Sequence, residues 1–263
     1  MCCSSSRAST SGITRKRANS AWLVYDCGGD PCGSIRLKEY PALRHFAVEL
    51  EELNQSLLEM GALVESSIHC SVQALVDRDE RMARRVIEDE ARINQMELDI
   101  DARVTRLLAL NQPVAGDLRL LIMALKINTD LERMGDLAAN MAERAITLSK
   151  VPAVKPFIDT PRMASLVEDM LHRSLDAFVK RDAALAAQVL PADDEVDSLR
   201  DRIYSELLEL MQENPSVVPS AIHLMFVARN LERIADHTTN IAEDVIFLVR
   251  GVDVRHHATE NKV

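Results

Sequence analysis

The stretch Asp130–Glu143 reads DLERMGDLAANMAE, and one hundred residues later Asn230–Glu243 reads NLERIADHTTNIAE. Leu131/Leu231, Glu132/Glu232, Arg133/Arg233, Asp136/Asp236, Asn140/Asn240, Ala142/Ala242 and Glu143/Glu243 are identical between the copies. Apolar residues around the first copy recur at alternating spacings of four and three: Leu120, Ala124, Ile127, Leu131, Met134, Ala138, Met141, Ala145 and Leu148. That is the seam of a helix packed against other helices. A matching seam, Leu224, Val227, Leu231, Ile234, Thr238, Ile241, Val245 and Leu248, surrounds the second copy.

The repeat extends outward. MGALVESSIH (Met60–His69) aligns with MASLVEDMLH (Met163–His172) at an offset of 103, which holds through Arg78/Arg181 and Asp79/Asp182. Helical periodicity predicts a first helix over 41–76, a second over 79–110 stopped by Asn111-Gln112-Pro113, and a third from Asp117 to before Pro152. The second half repeats this scheme, with a fifth helix over 183–212 bent at Pro191 and a sixth closed by Gly251. The expected fold is therefore all-α, two tandem, pseudo-symmetric three-helix bundles. Residues 41–150 form the first bundle and 162–251 the second, and 151–161, with Pro152, Pro156 and Pro161, link them. Residues 1–40 are expected to be a disordered tail and 252–263 a C-terminal tail.

Composition narrows the function. Aromatic residues are 3% of the chain, which suits helices over sheets, and no apolar run is long enough to span a bilayer. A net charge of −10 argues against a nucleic-acid partner. Of the five cysteines, Cys2, Cys3, Cys27 and Cys32 fall in the tail, so no disulfide framework is expected and a reducing compartment fits. Cys27 and Cys32 lack a second ligand pair for zinc, and His256-His257 lie in the charged C-terminal tail. No glycine-rich phosphate loop, nucleophile elbow or HExxH is present, so no enzyme is expected.

Glu132 and Asp136 stand one turn apart on one helix face, with Asn140 about 80° and Glu143 about 20° round the helix from Glu132. Counted from the seam, this stripe faces outward. Glu97 and Asp101 precede Glu132 by 35 residues, and Asp197 and Asp201 precede Glu232 by the same interval. Two carboxylate pairs from adjacent helices, once per half, would form a hard oxygen site for Mg, Mn, Fe or Zn. Against that grouping, Asp193/Asp197 and Glu209/Glu213 are also acidic pairs four apart. The 103-residue offset, if it persists, matches Asp197 to Asn94 rather than to Glu97. Arg133 and Arg233 border the stripe, and Glu65/His69 and Glu168/His172 form a further repeated pair. A di-iron oxidase of helical-bundle type is the alternative class, but no Glu-x-x-His occurs.

RHFAVELEEL (Arg44–Leu53), MGALVE (Met60–Glu65), QPVAGDLR (Gln112–Arg119) and the doubled LERxxDxxxN resemble the PhoU family of regulatory accessory proteins of bacterial phosphate uptake, over residues 42–251. The resemblance implies a cytoplasmic negative regulator of phosphate uptake and of the phosphate-starvation response, peripheral to the membrane through its partners. It also implies an adaptor between the ATPase of the phosphate transporter and a phosphate-sensing histidine kinase, with a homodimer as an allowed assembly. Multinuclear metal clusters on ExxxD-type pairs are implied as well, here Glu97/Asp101 with Glu132/Asp136 and Asp197/Asp201 with Glu232/Asp236.

Overall fold

A computed structural model describes residues 14–18, 21–25, 41–154 and 159–254. The chain divides into two compact units, Met1–Ala47 and Val48–Val263. In the first, β1 (Thr14–Ala18) and β2 (Ala21–Tyr25) pair antiparallel, Thr14 opposite Tyr25 and Ala18 opposite Ala21, where the sequence reading expects no regular structure. The remainder of the expected N-terminal tail, Cys27 and Cys32 with it, lies outside the described residues, as do His256 and His257.

Among the described residues seven α-helices follow: α1 (Pro41–Asp77), α2 (Glu80–Asn111), α3 (Ala115–Ser149), α4 (Asp159–Lys180), α5 (Ala183–Ala187), α6 (Ala192–Glu213) and α7 (Val218–Arg250). The internal repeat is visible in backbone detail. Arg78 and Arg181, 103 residues apart, both adopt left-handed φ values, 59° and 51°. In each case the next residue caps a helix: Asp79 accepts from the amides of Arg81 and Met82, and Asp182 from those of Ala184 and Leu185. Each aspartate satisfies N–H groups that the first helical turn leaves unpaired.

Two boundaries differ from expectation. The link between bundles is shorter, because α4 begins at Asp159 and absorbs Pro161 into its first turn, where proline sacrifices no helical hydrogen bond. The expected fifth helix is divided at Pro191 into α5 and α6, with Gln188 to Pro191 forming a turn. In the first half Glu88 occupies the position of Pro191, and α2 runs through unbroken.

Every residue of both predicted seams is buried. α3 packs on α2 and also on α7, and α4 and α6 complete the surroundings of α7. α1 meets α4 at Gly61, where a β-carbon would collide with Leu175. The two bundles thus share one apolar interior within the unit Val48–Val263.

Candidate acidic sites at the α2/α3 and α6/α7 junctions

Glu132 and Asp136 project from α3 toward α2 and are half-buried rather than fully outward, because α3 is flanked on two sides and not along a single seam. Glu97 on α2 joins them. Burial pushes the Glu132 carboxyl above its ordinary range, and the charges of Asp136 and Glu97 push it further. Glu90, not singled out from sequence, belongs to the same group: burial raises it first, then the charges of Asp136 and Glu143. Asn94, one turn after Glu90, has a buried Oδ1 without a hydrogen-bond partner. Asp101 stands elsewhere. The buried Asn128 donates its Nδ2 to Asp101 Oδ1 at 2.9 Å and to the Glu97 carbonyl at 3.0 Å, so Asp101 serves the α2/α3 contact.

In the second half, Asp193 on α6 lies against Asp236, Asp197 and Glu232. Burial, then these neighbouring charges, raise its carboxyl to about 6. Arg200 sits among them, its Nη1 donating to Asp197 Oδ1 at 2.7 Å and Glu232 Oε1 at 2.9 Å, and its Nη2 to Asp201 at 2.8 Å. Asp201 is thereby drawn to the exposed side of Arg200, and Glu232 Oε2 remains buried without a partner. The grouping expected from the 35-residue interval is therefore revised. The 103-residue offset holds through α2 and α6, with buried Ile93, Ile100 and Val104 answering Val196, Ile203 and Leu207. It matches Glu90 to Asp193, Asn94 to Asp197, Glu97 to Arg200 and Asp101 to Tyr204. That offset was the sequence signal for Glu90 and Asp193.

Among the described residues, no group of three or more His, Cys, Asp or Glu side chains is already gathered to hold one metal ion. The carboxylates repel one another, and in the second half Arg200 stands between them. The donor set nevertheless suits a hard cation. It is rich in carboxylates, two of its oxygens (Asn94 Oδ1 and Glu232 Oε2) are buried without partners, and its raised acids would give up their protons to a cation. The Glu/His pairs lie apart, at the α1/α4 contact, and cross between helices: His69 Nδ1 is 3.4 Å from Glu168, and His172 Nδ1 is 3.8 Å from Glu65.

Two related helical bundles with a carboxylate cluster at corresponding helix junctions define a repeat-built all-α class, with no nucleophile elbow or phosphate loop in its sequence. The PhoU domain model matches residues 57–145 and 160–245, one match per half, and the chain belongs to the PhoU family. It is 42% identical over 214 residues to the phosphate-specific transport system accessory protein PhoU homolog of Pseudomonas aeruginosa, covering 81% of this chain and 88% of that one. The homolog from Aquifex aeolicus is 41% identical over 81% of this chain and 97% of its own length. The crystal structure of PhoU from Pseudomonas aeruginosa superposes with a TM-score of 0.76 at 42% identity, covering 79% of this chain and all of that chain. The phosphate transport system regulatory protein PhoU from Streptococcus pneumoniae gives 0.74 at 31% identity, covering 80% and 99%. The family consists of accessory and regulatory proteins rather than enzymes, and nothing in these likenesses supports the di-iron oxidase alternative.

Proposed function

We propose that this chain is an accessory protein of phosphate transport. In this reading it is a negative regulator of phosphate uptake and of the phosphate-starvation response, working in the cytoplasm as a metal-binding adaptor between the transporter's ATPase and a phosphate-sensing histidine kinase. The observation that carries the accessory role is the doubled domain match, together with relatives of known name that align along most of their length. None of the helices among the described residues is long and apolar enough to cross a membrane, which agrees with attachment through partners.

The metal part of the reading rests on the two acidic junctions. Glu90, Glu97, Glu132 and Asp136 would hold a cation in the first half, and Asp193, Asp197, Glu232 and Asp236 in the second. A bound Mg, Mn, Fe or Zn cluster would supply open coordination positions for phosphate oxygens, which the bare carboxylates repel. Arg200 must leave its carboxylates before the second site can load, so the first site binds more tightly. Elemental analysis of protein purified without chelator tests this. Glu132→Ala with Asp136→Ala is expected to lower metal content, and an unchanged content removes the first site from the proposal. Deletion of the gene tests the regulatory part: phosphate-responsive genes should escape repression in rich phosphate, and full repression would refute the role.

A further inference from the structure

The groove between α3 and α7 carries a pattern that the acidic sites do not use. On α3, Ile122, Lys126, Thr129, Arg133, Asn140 and Arg144 fall within about 60° of one another around the helix. On α7, Ile222, Phe226, Arg229, Arg233, Asn240 and Asp244 do the same. The helices are antiparallel here: Lys126 Nζ is 3.1 Å from Asp244 at one end, and the Arg144 guanidinium lies 5.4 Å over the Phe226 ring at the other. Both rows therefore border a single groove. One end opens into a cavity of about 300 Å³ lined by Lys126, Thr129, Asp130, Arg133, Asn240 and Asp244.

Charge here runs against the rest of the molecule. The chain has 41 acidic and 31 basic residues, and on other faces Arg84, Arg92, Arg103, Arg106 and Arg202 each close on a carboxylate. Along the groove, Arg133, Arg229 and Arg233 close on no carboxylate at ion-pair distance among the described residues, although the charge of Arg133 bears on Glu132 and that of Arg229 on Tyr204 at longer range. The two carboxylates lining the cavity are both occupied, Asp130 by His237 at 2.9 Å and Asp244 by Lys126. Exposed apolar side chains alternate with the arginines: Phe226 is 47% exposed, and Leu118, Ile122 and Ile222 are similarly uncovered. Arginines beside uncovered aromatic and aliphatic groups are the composition of a protein contact rather than of a phosphate backbone.

We propose that the α3/α7 groove docks an acidic amphipathic helix of a partner protein. Its apolar stripe seats on Ile122, Ile222 and Phe226, and its carboxylates pair with Arg133, Arg229 and Arg233. From Ile122 to Arg144 the groove is about 33 Å long, which accommodates a helix of about 20 residues. This deepens the adaptor reading and rests on it.

The test is co-purification of the full chain with the phosphate transporter's ATPase subunit, and separately with the cytoplasmic part of the phosphate-sensing kinase. The variants are Arg133→Glu with Arg233→Glu, Phe226→Asp, and Arg84→Glu as a charge-reversal control on another exposed face. Because the altered groove residues are exposed, helical content and Tm should be retained, and the single Arg229→Glu provides a second variant if the double one folds poorly. The expected result is capture by the wild type, a loss of about tenfold or more in both groove variants, retention in Arg84→Glu, and steep weakening with salt. Rescue of the charge-reversed variant by Glu→Lys changes on one partner helix would identify the occupant. Undiminished capture by the groove variants overturns the groove and leaves the adaptor reading intact, whereas absence of capture by the wild type overturns both. Groove-dependent binding to phosphatidylglycerol vesicles without protein capture overturns the proposal in favour of a lipid surface.

Discussion

Arg78 and Arg181 show how one backbone demand can be met with and without compensation. Both occupy the left-handed region, where a β-carbon costs about 1 kcal/mol. Arg78 recovers this by donating to the Ser149 carbonyl at 2.8 Å and to the Val151 carbonyl, whereas Arg181 has no side-chain partner among the described residues. Arg181→Gly is therefore expected to stabilise the protein by about 0.5–1 kcal/mol and raise Tm by roughly 1–4 °C, and Arg78→Gly to give no such gain. Differential scanning calorimetry of the two variants decides it. Arg200 is a second informative residue. Arg200→Gln frees Asp197 and Glu232, so metal uptake by the second half should rise, and an equilibrium titration with a divalent cation reads that directly. Asp193 sets a pH dependence. Its folded-state pKa of about 6 lies above its ordinary value of 3.8, so the protonated form is favoured by folding. The resulting stability is fully present below about pH 4 and is lost as pH rises through 6. In chelator-treated protein, Asp193→Asn should gain about 1–2 kcal/mol over the wild type at pH 7.5, after allowance for solvent screening, and nothing near pH 4. Urea melts at the two pH values measure the difference.

At the scale of the element, α3 holds the core on one side and supplies carboxylates on another. Leu131, Met134, Ala138 and Met141 are buried, while Glu132 and Asp136 meet α2 at the acidic junction. Gly135 permits this double duty, since a β-carbon there would come within 2.9 Å of Ile93 Cδ1 on α2. Gly135→Val should force α2 and α3 apart, cost about 1–3 kcal/mol, and weaken metal uptake in the first half alone, as stability and titration measurements together would show. The register of helices was legible because apolar spacing is a property of each segment. Glu90 and Asp193 were harder to read, since membership of a cluster depends on which residues of two helices come opposite each other. The interval of 35 residues grouped Glu97 with Asp101. Packing of Ile93, Ile100 and Val104 instead brings Glu90 beside Asp136 and leaves Asp101 to Asn128.

For the molecule as a whole, the contact between α3 and α7 joins the bundles into one body, and its centre contains a buried, hydrogen-bonded Asp–His pair. Asp130 and His237 are each about nine-tenths buried and lie 2.9 Å apart, although they belong to different halves. Removing the imidazole leaves a buried carboxylate oxygen without its hydrogen bond, so His237→Ala is expected to cost about 1–3 kcal/mol. Because the halves share their interior, the wild type should unfold in a single transition in which both melt together. Two resolved calorimetric transitions would contradict that shared core.

By itself the sequence determined that the chain is helical, that it is a doubled unit, and where most helices start and stop. These follow from local periodicity, caps and prolines, which act over a few residues. Tertiary structure decided which carboxylates meet, that Arg200 stands where the first half has Glu97, that the Glu/His pairs cross between helices, and that arginines from both halves line one groove. Those outcomes depend on the rotation and offset of one helix against another, which buried side chains set across long sequence separations. Within Asp130–Glu143, spacing alone places Leu131 and Met134 in the core, but the surroundings of Glu132, Asp136 and Arg133 are supplied by α2 and α7.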